Sequence, residues 1–197
     1  MKQLRRLSLS LLLFFCGFYS PAQTNVVSVD IFGLLLQDRK SISYERSFRS
    51  KFSVRLSYEN QKYIKGAENG QTVYEVRGKG VIAEFRFYPS YSKKSAPLGF
   101  YLGSSFRNIG VTETYSPASM EFTGNVFNYT IISGYKFNFD RAIIEVLAGY
   151  GSGQVRGLDD PRRSQIAPFT DNTIDQLKAN FRFEISLGFY FPKLSTD

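Results

Sequence analysis

The chain has 197 residues, enough for one domain, with 43% hydrophobic and 21% charged residues. That balance excludes both a disordered tail and a stack of membrane helices. There is no histidine and only one cysteine, Cys16, so Ser–His and Cys–His nucleophile systems, His-ligated metals and disulfides fall away. Aromatics are abundant instead, 19 Phe and 13 Tyr without Trp, and the formal net charge is +8.

Lys2, Arg5 and Arg6 precede an apolar stretch from Leu7 to Phe18 that is too short to cross a bilayer as a helix. Ser20-Pro21-Ala22 then offers small residues where a signal peptidase reads. Residues 1–22 are therefore expected to be a removed secretory signal peptide, leaving 23–197 as a single domain. A lipoprotein anchor at Cys16 fits less well, because Phe14 and Phe15 stand where such signals carry small residues. Losing the leader removes three bases and no acids, so the net charge falls to +5. No basic cluster interleaved with aromatics follows, and no nucleic-acid partner is expected.

Beyond the leader the recurring signal is alternation, the period of a strand with one apolar and one polar face. Val27, Val29 and Ile31 alternate with Ser28 and Asp30 until the run Leu34-Leu35-Leu36 blurs the pattern. Ile42, Tyr44 and Phe48 oppose Ser43, Glu45 and Ser47. Phe52, Val54, Leu56 and Tyr58 oppose Ser53, Arg55, Ser57 and Glu59. Val81, Ala83, Phe85 and Phe87 oppose Ile82, Glu84, Arg86 and Tyr88. Leu98, Phe100, Leu102 and Phe106 oppose Gly99, Tyr101, Gly103, Ser105 and Arg107. Phe127, Tyr129, Ile131, Tyr135, Phe137 and Phe139 oppose Asn128, Thr130, Gly134, Lys136 and Asn138. Ile144, Val146, Ala148 and Tyr150 oppose Glu145, Gly149 and Gly151. Last and clearest, Phe181, Phe183, Ile185, Leu187, Phe189 and Phe191 oppose Arg182, Glu184, Ser186, Gly188 and Tyr190.

Eight strands are thus predicted, with short turns at 49–50 and 140–141 and a medium link at 89–97. The opposite end carries longer loops at 61–72, 115–121 and 157–176, with one short connection around 37–40. The expected fold is all-β, a single eight-stranded antiparallel up-and-down transmembrane β-barrel. A soluble barrel would bury the Phe-rich faces in its lumen, but they hold more volume than eight strands can enclose. Gly99, Gly103, Gly134, Gly149 and Gly188 on the polar faces suit a tight interior, and aromatics near strand ends suit interface girdles. Arg46 is a charge on an otherwise apolar face, close to the turn at 49–50, where an outward Arg costs only about 0–1 kcal/mol.

The signal peptide, the strands SISYERSF and KFSVRLSYE, the segments EFRFYPS and GFYLGSSFR, and the terminal RFEISLGFYF resemble the OmpA-like eight-stranded outer-membrane barrels. The similarity is greatest to small barrels common in Bacteroidota, whose signal peptides often end in Ala-Gln, as at Ala22-Gln23. The resemblance implies the outer membrane of a Gram-negative cell, with outer-membrane lipid and lipopolysaccharide as surroundings. It also implies that the barrel assembly machinery reads Phe191 as the terminal aromatic, although here the tail 192–197 follows it. The anchoring role of longer OmpA proteins is not expected, since no peptidoglycan-binding domain follows.

Candidate chemistry lies in the inward charges Glu45, Arg55, Glu59, Glu84, Arg86, Arg107, Lys136, Glu145, Arg182 and Glu184. Two readings use the same residues: ion pairs that plug the lumen, or a narrow, porin-like ion or small-solute path gated by those pairs. A carboxylate pair such as Glu45 with Glu84 permits acid–base work, but nothing in the spacing demands it. Barrel enzymes of this kind rely on histidine, so a non-enzymatic protein is expected, without cofactor or metal. Asp159, Asp160, Asp171 and Asp175, beside Arg156, Arg162 and Arg163, suggest a divalent-ion or lipopolysaccharide contact. The pattern lacks the alternating oxygens of a calcium loop and fits a solvated loop better. An extracellular ligand, if present, is expected at the three longer loops.

Overall fold

The structure is a computed structural model that describes residues 25–48, 51–66, 73–89, 98–115, 120–139, 141–158, 162 and 181–191. It contains β1 (Asn25–Asp30), β2 (Arg39–Phe48), β3 (Phe52–Gly66), β4 (Val73–Phe87), β5 (Gly99–Tyr115), β6 (Met120–Phe139), β7 (Ala142–Arg156) and β8 (Phe181–Phe191). One short helix, α1 (Ile31–Leu36), separates β1 from β2. Each strand pairs antiparallel with its sequence neighbours, and β1 pairs with β8, so the fold is a closed eight-stranded antiparallel barrel.

The stagger follows from the register. From Asn25 the cross-strand partners run through Arg46, Val54, Phe85, Ser104, Ile131 and Tyr150 to Phe181. The residue of β8 paired directly with Asn25 is Phe191. One circuit therefore advances about ten residues, which tilts the strands by roughly 40° and leaves an interior just wide enough for side chains.

Alternation then sends one set of side chains out and the other in. Ile42, Tyr44, Leu56, Tyr58, Val81, Phe85, Phe100, Leu102, Phe106, Ile131, Tyr135, Phe137, Tyr150 and Phe189 are exposed on the outer wall. Serines, glutamates and arginines are buried within it. A water-soluble domain rarely shows so large a continuous apolar surface. Arg46 lies outward two residues before the end of β2, between Asn25 and Val54. Gly134 faces inward, and a Cβ there would run into the Tyr101 ring. Gly99 serves otherwise than expected: its φ of +88° lies in open space where β5 begins, so it supplies a backbone conformation and not interior room.

At the end opposite the short turns, the strands run further than the alternation indicates. The loop expected at 61–72 is strand through Gly66, and β4 begins at Val73. Tyr115 pairs with Met120, which narrows the connection expected at 115–121 to residues 116–119. The cause is a reversal of facing. Outward positions beyond Tyr58, Val81 and Phe127 become Asn60, Lys62, Lys79, Arg77 and Asn125. Inward positions become Tyr74, Val76, Ile109, Val111, Phe122 and Val126, which bury together with Leu158. The apolar residues change parity within one strand, so the period-2 signal breaks where the strand itself continues. At this end Arg77 hydrogen-bonds Glu75 and holds its carboxyl below the ordinary value.

The connection expected at 37–40 is corrected too, since Arg39 and Lys40 belong to β2 and α1 precedes them. Asp30 caps α1, its Oδ1 accepting from the Gly33 N–H at 3.1 Å, and the Gln37 N–H donates to the Gly33 carbonyl at 3.1 Å. Leu34, Leu35 and Leu36 are its exposed residues. The expected leader 1–22, most of the loop at 157–176 and the tail 192–197 lie outside the described residues.

Neighbouring positions on β8 test the facing. Leu187 points outward and Ser186 is buried inside, its Oγ without a hydrogen-bond partner. Leu187→Arg is expected to cost about 2–4 kcal/mol, or to prevent assembly, whereas Ser186→Ala should change stability by less than about 0.5 kcal/mol. Urea unfolding of refolded protein in lipid vesicles measures both; equal tolerance would reverse inside and outside.

Candidate functional site in the barrel interior

Each of the ten charged residues expected to face inward lies on an inward strand position. The smallness of the lumen forces these groups together. Arg86 on β4 is fully buried at their centre. Its Nη1 donates to Glu45 Oε2 at 2.7 Å, its Nε to Glu84 Oε2 at 2.8 Å and its Nη2 to Glu145 Oε1 at 2.8 Å. The Tyr101 ring lies 4.5 Å from the guanidinium carbon. Lys136 Nζ donates to Glu45 Oε2 at 2.5 Å, and Arg55 Nη1 to Glu145 Oε1 at 3.2 Å. Arg55 also pairs with Glu184, and Arg182 joins Glu184 to Glu84, the latter at 2.7 Å.

Glu45, Arg55, Glu84, Arg86, Lys136, Glu145, Arg182 and Glu184 thus form one connected network of four cations and four carboxylates. Glu59 and Arg107 are not in it; they pair with each other nearer the end opposite the short turns. The balance matters physically, since an ion left alone at such a site costs several kcal/mol. Hydroxyls add further donors to two of the carboxylates. Tyr88 and Ser53 donate to Glu45 Oε1 at 2.9 and 2.6 Å, and Tyr101 donates to Glu145 Oε1 at 2.6 Å. Tyr88, Tyr101, Ile132 and Leu147 pack as an apolar floor at the short-turn end of the lumen.

Four residues contribute in ways that a sequence reading does not find. Tyr88 and Tyr101 lie on the inward faces to which the alternation assigns them, but their contacts with Arg86, Glu45 and Glu145 show only in the structure. Arg39 pairs with Asp30 at 2.5 Å and donates to the Phe183 carbonyl, but its position resembles a connection. Glu113 is fully buried in the part of β5 that alternation misses. Phe191 closes β8 opposite Asn25 and faces outward.

Each carboxylate of the network thus carries at least one cation of the chain itself. Among the described residues no group of three His, Cys, Asp or Glu is placed to hold a metal ion.

No protein family and no curated protein matches the chain in sequence. Among solved structures it is similar to Ail, the attachment invasion locus protein of Yersinia pestis, determined with the heparin analogue sucrose octasulfate. That match has 11% identity and a TM-score of 0.46, over 86% of this chain and 95% of that one. It is also similar to CarO2 of Acinetobacter baumannii, with 13% identity and a TM-score of 0.41, over 86% of this chain and 98% of the other.

Arg86→Gln leaves Glu45, Glu84 and Glu145 without their shared cation and is expected to cost about 3–5 kcal/mol in urea unfolding. Arg86→Gln combined with Glu84→Gln restores neutrality and should recover a large part of that loss. Equal stability of the two variants would show that charge balance does not govern the interior.

Proposed function

We propose that the chain is an integral outer-membrane barrel without enzymatic activity, its ion-paired interior closed to solutes and its outer end serving surface interaction. The observation that carries this reading is the reversal of facing along the strands. The outer wall is apolar for a band, and where β3 to β7 continue beyond that band it is polar over an apolar interior. On β8 the outward run from Phe181 to Phe191 covers about 25 Å along the barrel axis, given about 3.3 Å per residue and a tilt near 40°. That equals the roughly 25 Å apolar band of outer-membrane barrels. The run is shorter on β3, β4 and β5, where Asn60, Lys79 and Asn108 end it.

In this reading lipid and lipopolysaccharide surround the band, the short turns face the periplasm, and an exported leader brings the chain to the assembly machinery. Phe191, outward at the last described position of β8, is the aromatic that the machinery reads. Closure of the lumen is supported by the neutral network and by the floor of Tyr88, Tyr101, Ile132 and Leu147. An extracellular partner would meet the strand extensions and the connections within 61–72, 115–121 and 157–176.

Cell fractionation and gel mobility test the proposal. The protein should sediment with the outer membrane and migrate faster unboiled than boiled; recovery in the soluble periplasm without a shift would replace it with a soluble barrel. In planar bilayers the protein should be silent. Discrete conductance steps that change in Arg86→Gln would instead make the same network the gate of a narrow path.

A further inference from the structure

Between the charged network and the outer apolar cluster the lumen holds a cavity of about 390 Å³, within the range that small-molecule sites occupy. Its polar lining is one-sided. Arg39 from β2, Arg107 from β5 and Arg182 from β8 reach it from three sides of the barrel, joined by Gln61, Asn128 and Thr130. Among the described residues no aspartate or glutamate lines it. The carboxylates that balance these arginines, Asp30, Glu59, Glu84 and Glu184, lie behind them, with side chains 0–3% exposed against 10–15% for the arginines. Each ion pair therefore turns its positive end to the cavity, although the pairs are neutral as a set. Donors on its lining residues remain unspent: Arg39 Nε, Arg182 Nε and Gln61 Nε2 are buried and have no hydrogen-bond partner. Such groups are costly to leave unmet.

We propose that this cavity binds a small tetrahedral oxyanion, phosphate or the phosphate group of a small ester. A planar carboxylate is satisfied by the fork of one guanidinium. Three guanidinium groups on separate strands suit an anion whose oxygens point several ways. The site depends on the lumen alone and holds whether lipid or water surrounds the barrel, so it stands or falls separately from the membrane assignment.

Isothermal titration of the full barrel, refolded in detergent at constant ionic strength, tests it with inorganic phosphate as probe and acetate as the planar control. Saturable phosphate binding is expected, with acetate at least about tenfold weaker. The double variant Arg107→Gln, Glu59→Gln keeps the interior neutral and should weaken phosphate binding about tenfold or more. Glu59→Gln alone frees Arg107 from its competing carboxylate and should tighten binding. That opposite sign separates ligand contact from a general loss of folding. Glucose 6-phosphate and short-chain phosphatidate distinguish a soluble ester from a lipid headgroup as the source, and preference for either keeps the site. Absence of saturable phosphate binding, equal binding of acetate, or indifference to both variants would overturn it.

Discussion

The lumen of an eight-stranded barrel with this stagger is a fixed, narrow volume, and the pleat assigns half of every strand to it. Whatever those residues are, they must fit one another and satisfy one another's polar groups without bulk water. In this chain most of them, in the band where all eight strands run, are serine, glycine or charged. The interior is therefore a problem in charge balance before it is one of packing. The four-cation, four-carboxylate network, together with the Asp30–Arg39 and Glu59–Arg107 pairs, is the solution.

What the network contributes is specification more than stability. Buried ion pairs seldom exceed well-packed apolar groups in net free energy. Their effect here is on register. Glu45, Arg55, Arg86, Lys136, Glu145 and Glu184 come from six different strands, and each finds its partners only in the observed pairing. A slip of one residue on any of those strands would turn its charge onto the outer wall and bring an outer phenylalanine or leucine into the lumen. The alternation of the outer wall and the charges of the inner one thus enforce a single alignment together.

The same logic explains which parts were legible in the sequence. The eight strands and the ten inward charges can be read because the apolar band forces strict alternation, and charges on the inner face are conspicuous against it. Residues 61–66, 73–80, 108–115 and 120–126 are also strand, but along 74–76, 109–111 and 122–126 the apolar side is inside, as with Val76, Ile109 and Phe122, and the phase of the pattern changes mid-strand. Helix α1 is hidden because Leu34, Leu35 and Leu36 show no period, and its cap at Asp30 carries no distinctive spacing. The pairing of charges depends on which strands face each other across the lumen. Arg55 meets Glu184 and Glu145, distant in sequence, only once β1 and β8 close the circle.

That closure bears on the order in which the wall is completed. Among the described residues β1, with six, is the shortest strand, and its partner on one side, β8, is the last to be made. Until β8 arrives, the backbone donors and acceptors along one side of β1 have nothing to pair with, a condition that invites adhesion to other chains in proportion to the length exposed. The strand that waits longest for its neighbour is also the one that offers the least to a wrong one.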